Sequence, residues 1–143
     1  MEYRQVTKND IDTIDQINRA FLSENYDRRT FEVHMELTPT LNWVAIADGK
    51  IIGYILTHIQ DRVEAHITSI AVDPKYRRQG IGKRLMLCAL LESKKLKLLS
   101  CSLHVRVSNE AAINLYEGLK FVKVRVKKVY YGDEDAYLLR RRL

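Results

Sequence analysis

The sequence predicts a mixed α/β layer fold in a single domain. Apolar residues recur every three or four positions in some segments and alternate with polar residues in others, and the two kinds of segment are interleaved. The 143 residues contain no Gly/Ser-rich linker, low-complexity tract or internal repeat that would mark a second domain. The predicted element order is βαα-βββ-α-β-α-ββ.

The first half of the chain predicts one strand, two helices and a hairpin. Residues 3–6 form a short strand, and Thr7 or Asn9 caps a helix to about Leu22, because apolar residues follow at helical spacing. A second helix covers residues 28–37 and ends before Pro39. Strands 43–47 and 51–59 flank Asp48-Gly49, a strong hairpin signal.

The second half continues with strands and helices in alternation. A strand over residues 63–72 ends at Asp73-Pro74. A helix at 80–95, a strand at 102–107 and a helix at 109–119 follow. The 80–95 segment is helical, with an expected apolar face of Ile81, Leu85, Cys88 and Leu91. Valines at 122, 124 and 126 alternate with basic residues, which predicts a half-buried strand, and residues 137–141 form the last strand.

Composition excludes several classes of protein. Apolar residues make up 46% and charged residues 29%, which is typical of a globular domain rather than a disordered chain. No apolar run is long enough for a membrane span, no secretory leader is expected, and Cys88 and Cys101 have no metal-ligand spacing. We therefore expect a protein of the reducing cytoplasm, without a metal or a membrane partner.

The net charge of +6 is unevenly distributed. Residues 1–74 carry 7 basic and 12 acidic side chains, a net charge of −5, whereas residues 75–143 carry 17 basic and 6 acidic, a net charge of +11. A basic half suits an anionic ligand such as a nucleotide, although charge alone favours the simpler explanation of a solvated basic surface.

The segment with the clearest chemical pattern is residues 67–84, where a strand runs into a glycine-bearing turn that opens a helix. Free N–H groups at such a helix start attract phosphate, and Gly80 and Gly82 allow close backbone approach. The Walker A pattern and the dinucleotide fingerprint both fail, because Arg77, Arg84 and Leu85 occupy positions that those motifs reserve for other residues. Alone, the glycine pair is also compatible with a purely structural loop.

The pattern Arg77-x-x-Gly80-x-Gly82 after a strand resembles the acetyl-CoA-binding signature of the GNAT N-acetyltransferase superfamily. The spacing Asn109-x-x-Ala-x-x-x-Tyr116, followed by Lys120-Phe121, is similar to the second signature of that superfamily. Segments 22–26, 66–72, 103–109 and 130–137 resemble protein N-terminal α-acetyltransferases, closest to the archaeal enzymes and the catalytic subunit of N-terminal acetyltransferase A, with the RimI ribosomal-protein alanine acetyltransferases more distant.

The resemblance covers residue 3 to the last residue, with two departures at the substrate end. Ser23 stands where relatives usually have Pro, and the 130–137 loop is one residue shorter than in the closest relatives, so peptide preference stays open.

The resemblance implies the GNAT fold, a mixed and mostly antiparallel central sheet of about seven strands flanked by about four helices, and acetyl-CoA as the acetyl donor. It implies that Asn109 contacts the pantetheine arm and that Tyr116 lies near the sulfur as proton donor, although helix packing alone would also explain Tyr116. Backbone of the strand would bind the pantetheine arm and the turn would bind the pyrophosphate, which assigns donor binding to Ile70, Ala71, Val72, Arg77, Arg78, Gln79, Gly80, Ile81, Gly82, Lys83 and Arg84.

Three candidates for the base that accepts the amine proton remain open: Glu24, His66 and His104. Glu24 is the first choice through the resemblance, and its alternative is an exposed helical carboxylate. A lone histidine on a strand is more often a hydrogen-bonded core residue. The resemblance places the peptide slot at Leu22, Tyr26, Tyr130 and Tyr131, and Arg106 would orient a carboxylate or form a surface ion pair.

The expected function is acetylation of protein N-termini, with a ribosome or an auxiliary subunit as a possible partner. An α-amine has a pKa of about 8 and lysine about 10.4, so an α-amine needs only modest help to lose its proton. The alternatives are a lysine or small-amine acetyltransferase of the same superfamily, and a non-catalytic RNA- or ribosome-binding module. The sequence lacks the basic strands with interleaved aromatic residues that are typical of RNA recognition, so no specific nucleic acid is expected.

Overall fold

The computed structural model describes all 143 residues and consists of one seven-stranded sheet with helices on both faces. Short 3₁₀ turns at Lys8–Asp10, Pro39–Leu41 and Pro74–Tyr76 connect the regular elements. The elements are β1 (Glu2–Gln5), α1 (Ile11–Phe21), α2 (Arg28–Leu37), β2 (Trp43–Ala47), β3 (Lys50–Gln60), β4 (Glu64–Val72), α3 (Ile81–Lys95), β5 (Ser100–Arg106), α4 (Glu110–Gly118), β6 (Val122–Lys127) and β7 (Ala136–Arg142).

The strand order is β1-β2-β3-β4-β5-β7-β6, and every neighbouring pair is antiparallel except β4 and β5. The parallel pairing of β4 with β5 ends at Ile67 and Leu103, although both strands continue. Beyond that point β4 stays paired with β3 on one edge only. The sheet therefore opens between β4 and β5, and residues 68–72 have an edge without a strand partner.

Two apolar clusters cover the two faces of the sheet. One contains the buried sides of α3 and α4, and the other contains Ile11, Ile14 and Ile17 of α1 with Phe31 of α2. Neighbouring residues of β3 enter different clusters, as the alternation of side chains along a strand requires: Ile55 joins the first and Tyr54 the second. This arrangement confirms the predicted α/β layers and the predicted element order.

Two sequence expectations about burial are wrong. All six residues of β6 are exposed, because this strand is at the edge of the sheet and pairs only with β7; Val122 is 62% exposed. The core face of α3 is rotated from the expected one, because Met86, Ala89 and Leu90 pack inward while Leu91 is 55% exposed. No helix of the fold has the length and apolar character to cross a membrane.

Candidate active site

A cleft of about 640 Å³ lies where the sheet opens, between the free edge of β4 and the start of α4. Ile70, Ala71 and Val72 line one side, and Asn109, Ala112 and Tyr116 line the other. The bottom is closed by Phe21 and Leu22 at the end of α1. Free amide groups along one wall and apolar side chains along the other suit an extended, amide-containing arm.

The turn before α3 closes one end of this cleft with positive charge. Gly80 is the N-cap of α3 and has φ +75°, in the left-handed region where only glycine is unstrained. Arg78 is also left-handed, with φ 63°, so the chain turns tightly before the helix. Arg77, Arg78 and Lys83 line the cleft and the first turn of α3 carries no acidic residue, so this end is suited to an anion.

The structure separates the residues predicted for the turn into two groups. Arg77, Arg78, Gly80, Ile81, Gly82 and Lys83 line the cleft, whereas Gln79 and Arg84 do not. The Arg84 guanidinium lies 5.7 Å from the centre of the Tyr3 ring. A donor-binding role for the Arg84 side chain is therefore not supported by its position.

Asn109 and Tyr116 lie where the 640 Å³ cleft, which we call the donor cleft, meets a second, smaller cavity of about 130 Å³. Asn109 caps α4 by accepting a hydrogen bond from the Ala112 N–H at 3.2 Å, which leaves its amide nitrogen free. Tyr116 packs edge-to-face against Phe121, and burial raises the pKa of its hydroxyl to about 12. The hydroxyl therefore keeps its proton at neutral pH.

The smaller cavity is bounded by the α1–α2 loop, the ends of β4 and β5, and the β6–β7 loop. Glu24 and Tyr26 come from the first loop, His104 and Arg106 from β5, and Tyr131 from the last loop. The Tyr26 hydroxyl donates a hydrogen bond of 3.1 Å to the Thr68 carbonyl, which fixes that ring against β4. Five residues predicted for catalysis or substrate binding are thus brought together, although they are up to 107 positions apart in the sequence.

Arg106 is the charged centre of this cavity. Its guanidinium donates to Glu24 Oε1 through Nε at 2.8 Å and through a second nitrogen, and it also pairs with Asp133 at 2.9 Å and Glu134 at 3.3 Å. Ser23, the residue in place of the usual proline, donates to the same Glu24 oxygen at 2.8 Å. Glu24 is therefore a loop residue held in one orientation, with Oε2 left free, and not an exposed helical carboxylate.

The β6–β7 loop is fixed by the same arginine. The Arg106 guanidinium carbon lies 4.5 Å from the centre of the Tyr131 ring, and Glu134 accepts a hydrogen bond of 2.8 Å from the Ser108 N–H. Tyr130 does not line the cavity; its ring stacks on His104 at 4.3 Å between centroids. Tyr131 thus forms the wall, and Tyr130 packs edge-to-face against Tyr131 with 4.9 Å between the ring centroids.

One buried residue that organises the α1–α2 loop, Asn18, is not indicated by the sequence motifs. Asn18 is fully buried; it donates to the Glu24 carbonyl at 3.2 Å and accepts from the Tyr26 N–H at 3.1 Å. It also donates to the Tyr54 hydroxyl at 3.1 Å. The available signal was the position of Asn18 seven residues after Ile11, on the apolar stripe of α1.

The four histidines of the chain form one row across a face of the sheet. Consecutive ring centroids from His34 through His58 and His66 to His104 are 5.5, 5.3 and 5.2 Å apart. Burial lowers the pKa of each of them, and that of His66 falls to about 4, with the neighbouring histidines adding to the effect. His104 lines the small cavity, whereas His66 does not.

Three features are now in place: the opened sheet, the cationic turn at the start of α3 and the smaller cavity beside the cleft. Together they are typical of a protein that transfers a group from a nucleotide-linked carrier to a second substrate. Residues 11–121 match the Acetyltransferase (GNAT) family. The chain is 40% identical to an N-alpha-acetyltransferase of Saccharolobus solfataricus, over 98% of this chain and 92% of that protein.

Solved structures give the same result. Ard1 from Thermoplasma volcanium superposes with a TM-score of 0.93 at 30% identity, over 99% of this chain and 97% of that chain. A chain of the NatC complex bound to Gag peptide and CoA superposes with a TM-score of 0.92 at 26% identity, over 99% of this chain and 98% of that chain. The chain belongs to the GNAT acetyltransferase family, which confirms the predicted family and fold.

Proposed function

We propose that this protein is an acetyl-CoA-dependent acetyltransferase that acts on the N-terminal α-amine of proteins. The observation that carries the proposal is the junction of the two cavities: Leu22, Ile70, Asn109 and Tyr116 line both. A donor in the large cleft and an amine in the small one would meet there. The similarity to the N-alpha-acetyltransferase of Saccharolobus solfataricus supports the same reaction.

The residues of the large cleft fit acetyl-CoA. The free edge of residues 68–72 offers backbone partners for the pantetheine amides, and the turn at Gly80 with its three cations suits the pyrophosphate. When bound, acetyl-CoA supplies a thioester whose acetyl group passes to the amine and whose sulfur leaves as a thiolate. The overall balance is acetyl-CoA plus R–NH₃⁺ giving acetylated amine, CoA–SH and H⁺.

Tyr116 is the proposed proton donor for the departing sulfur. It is buried at the junction of the cavities, and its raised pKa means that the proton is present when needed. Backbone N–H groups near Ile70 would bind the oxygen that becomes negative, as preorganised donors do in acyl transfer.

Glu24 is the proposed partner of the acceptor amine. Arg106 and Ser23 occupy Oε1, so Oε2 can accept a hydrogen bond from the ammonium group, directly or through water. His104 suits the role of donor better than that of base, because its Nδ1 is buried without a partner and the ring proton then belongs on Nε2. Nearby Lys127 and Arg125 add to burial in lowering its pKa.

The energetics favour an α-amine over a lysine. At pH 7, deprotonation costs about 1.4 kcal/mol for an amine of pKa 8 but about 4.6 kcal/mol for lysine. None of the histidines could hold the proton of a lysine, since the pKa of each is lowered. The small cavity, walled by Tyr26 and Tyr131, also suits a chain end.

The site of action and the partners are part of the proposal. Two free cysteines, of which Cys101 is buried, are compatible with the reducing cytoplasm, where N-termini emerge during synthesis. An auxiliary subunit that delivers these N-termini at the ribosome would be compatible with the similarity to a chain of the NatC complex.

The test is a thiol-release assay with acetyl-CoA, read by mass spectrometry on peptides that begin with Ser, Ala or Met. A matched peptide with a blocked N-terminus and an internal lysine serves as the control. Acetylation of the free N-termini alone is expected. Acetylation of the blocked peptide would instead establish lysine chemistry, and salt-sensitive RNA binding without any turnover would favour a binding module.

A further inference from the structure

Glu64 lies at the start of β4, outside both cavities, and its carboxylate collects donors from three strands. It accepts hydrogen bonds from Ser100 at 2.8 Å and Ser102 at 3.0 Å, and it pairs with Arg140 on β7 and Gln60 on β3. Burial alone would raise its pKa, but the bonds from Arg140 and the two serines outweigh burial and lower it. Glu64 is therefore ionised at neutral pH and can only accept hydrogen bonds.

The charge of Glu64 fixes the direction of the next hydrogen bond. The Ser102 hydroxyl has one proton and must donate it to the carboxylate. Its remaining lone pairs face His66, whose Nδ1 lies 2.8 Å from the Ser102 oxygen. Because that oxygen can then only accept, His66 must carry its ring proton on Nδ1 and donate it.

The neutral His66 ring is left with a bare Nε2. This nitrogen makes no hydrogen bond within the chain. Thr57 Oγ1 and His104 Nδ1 are the only buried side-chain atoms that lack a partner, so His66 Nε2 is not buried and water reaches it. The ring centroid lies 5.2 Å from that of His104, which lines the acceptor cavity. Nε2 is thus a water-accessible hydrogen-bond acceptor next to the site.

We propose that Glu64 and Ser102 are positioning residues, which hold His66 in the Nδ1–H tautomer and so present Nε2 as the acceptor for a water that takes the amine proton. The inference rests on the proposed function for its catalytic half and on geometry alone for the tautomer. The surrounding charged and titratable groups are His58, His104, Glu64 and Arg140. As this water takes the proton of the amine, it gives one of its own protons to Nε2. Because the pKa of His66 is lowered, Nε2 then returns that proton to solvent water.

The tautomer is measured first, by ¹⁵N NMR of the wild-type protein with labelled histidine. The His66 signal is assigned from its loss in the His66→Gln variant. A protonated Nδ1 and a bare Nε2 are expected at pH 7, and a protonated Nε2 in the wild-type protein would overturn the inference without any assay of activity. This result does not depend on whether the enzyme acetylates the peptides chosen.

The variants then separate positioning from packing. Ser102→Ala removes the acceptor for Nδ1–H, so the ring should move to the Nε2–H tautomer and kcat should fall about tenfold, a part of what a general base contributes. Ser100→Ala is the matched control, since it removes a donor to the same Glu64 but does not touch His66. It should leave the tautomer unchanged and kcat within about twofold of wild type.

Glu64→Gln provides a second, independent variant, because an amide no longer compels Ser102 to donate. A mixture of His66 tautomers is expected, with unchanged KM for acetyl-CoA. A shifted tautomer with wild-type kcat, in either variant, would overturn the catalytic half of the inference. Lost turnover with an unchanged tautomer would also contradict it, since the effect would then come from packing.

Discussion

Replacement of Arg106 by methionine is the sharpest test of the acceptor site, because one guanidinium connects both loops that form it. Met keeps much of the aliphatic stem but leaves three carboxylates, those of Glu24, Asp133 and Glu134, without their common partner. The side chains of Arg106 and Glu24 are 22% and 29% exposed, so their charged hydrogen bonds are partly screened. We expect a loss of about 1–2 kcal/mol in the free energy of unfolding, or roughly 3–6 °C in Tm.

The effect on turnover should be larger than the effect on stability. Once released, the Glu24 carboxylate is free to move by about 1 Å or more, and displacement of that size lowers catalysis by about 10²-fold. The loss should appear in kcat/KM for the peptide, with the KM for acetyl-CoA within about twofold, since Arg106 does not line the donor cleft. Peptide and donor titrations in the thiol-release assay measure the two separately.

Two further variants decide what the result means. Arg106→Lys keeps the positive charge but lacks the planar fork that reaches several carboxylates, so only partial recovery is expected. Arg19→Met is the matched control, because Arg19 pairs with Asp15 on the exposed side of α1. Wild-type kcat/KM in Arg106→Met, together with the expected loss of Tm, would refute the argument and leave the ion pair a purely structural role.

Three other expectations follow from the same geometry. Gly80→Ala forces a left-handed backbone on alanine and should weaken acetyl-CoA binding about tenfold by calorimetry, whereas Gly118→Ala, with open space and no positive φ, should not. Reversal of Arg77 and Arg78 to Glu should raise the acetyl-CoA KM by at least about tenfold, and Arg84→Glu should change it little; equal effects would contradict the assigned cleft. Burial lowers the pKa of all four histidines from 6.5, that of His66 to about 4, so below pH 6.5 the unfolded chain binds protons that the folded chain does not. The stability that the neutral histidines contribute is therefore fully present above pH 6.5 and is lost as the pH falls towards 4. For His66 alone the loss in the free energy of unfolding is about 3 kcal/mol by pH 4, and a Tm that stays constant from pH 7 to 5 would refute this expectation.

Short-range patterns predicted most of the fold. The helix at Arg28–Leu37 and the strand at Trp43–Ala47 have the predicted bounds, because capping, proline and turn signals act over a few residues. The burial of individual side chains was predicted less well, since it depends on which element packs against each face of a strand or helix. The valines of β6 alternate correctly for a strand, but no helix covers that edge, and alternation cannot show whether a layer is present.

The donor cleft was more predictable than the acceptor cavity for a physical reason. The turn from Arg77 to Lys83 is local, so its residue types already determine a helix start with free N–H groups and positive charge. The contact of Glu24 with Arg106 joins residues 82 positions apart, and no pattern around either residue indicates it. Within the same local motif, the Arg84 side chain contacts Tyr3 and does not line the cleft, which the residue types of the turn do not indicate.

The four neutral histidines indicate how the site handles the proton of the amine. A row of neutral rings with lowered pKa values is a poor store for protons but a good set of hydrogen-bond acceptors and donors. An α-amine with a pKa of 8 needs no strong base to accept its proton, because about a tenth of the amine is already neutral at pH 7. The site therefore has to orient an amine and let its proton leave through water, and the fixed direction from Glu64 through Ser102 to His66 serves that task better than a strong base would.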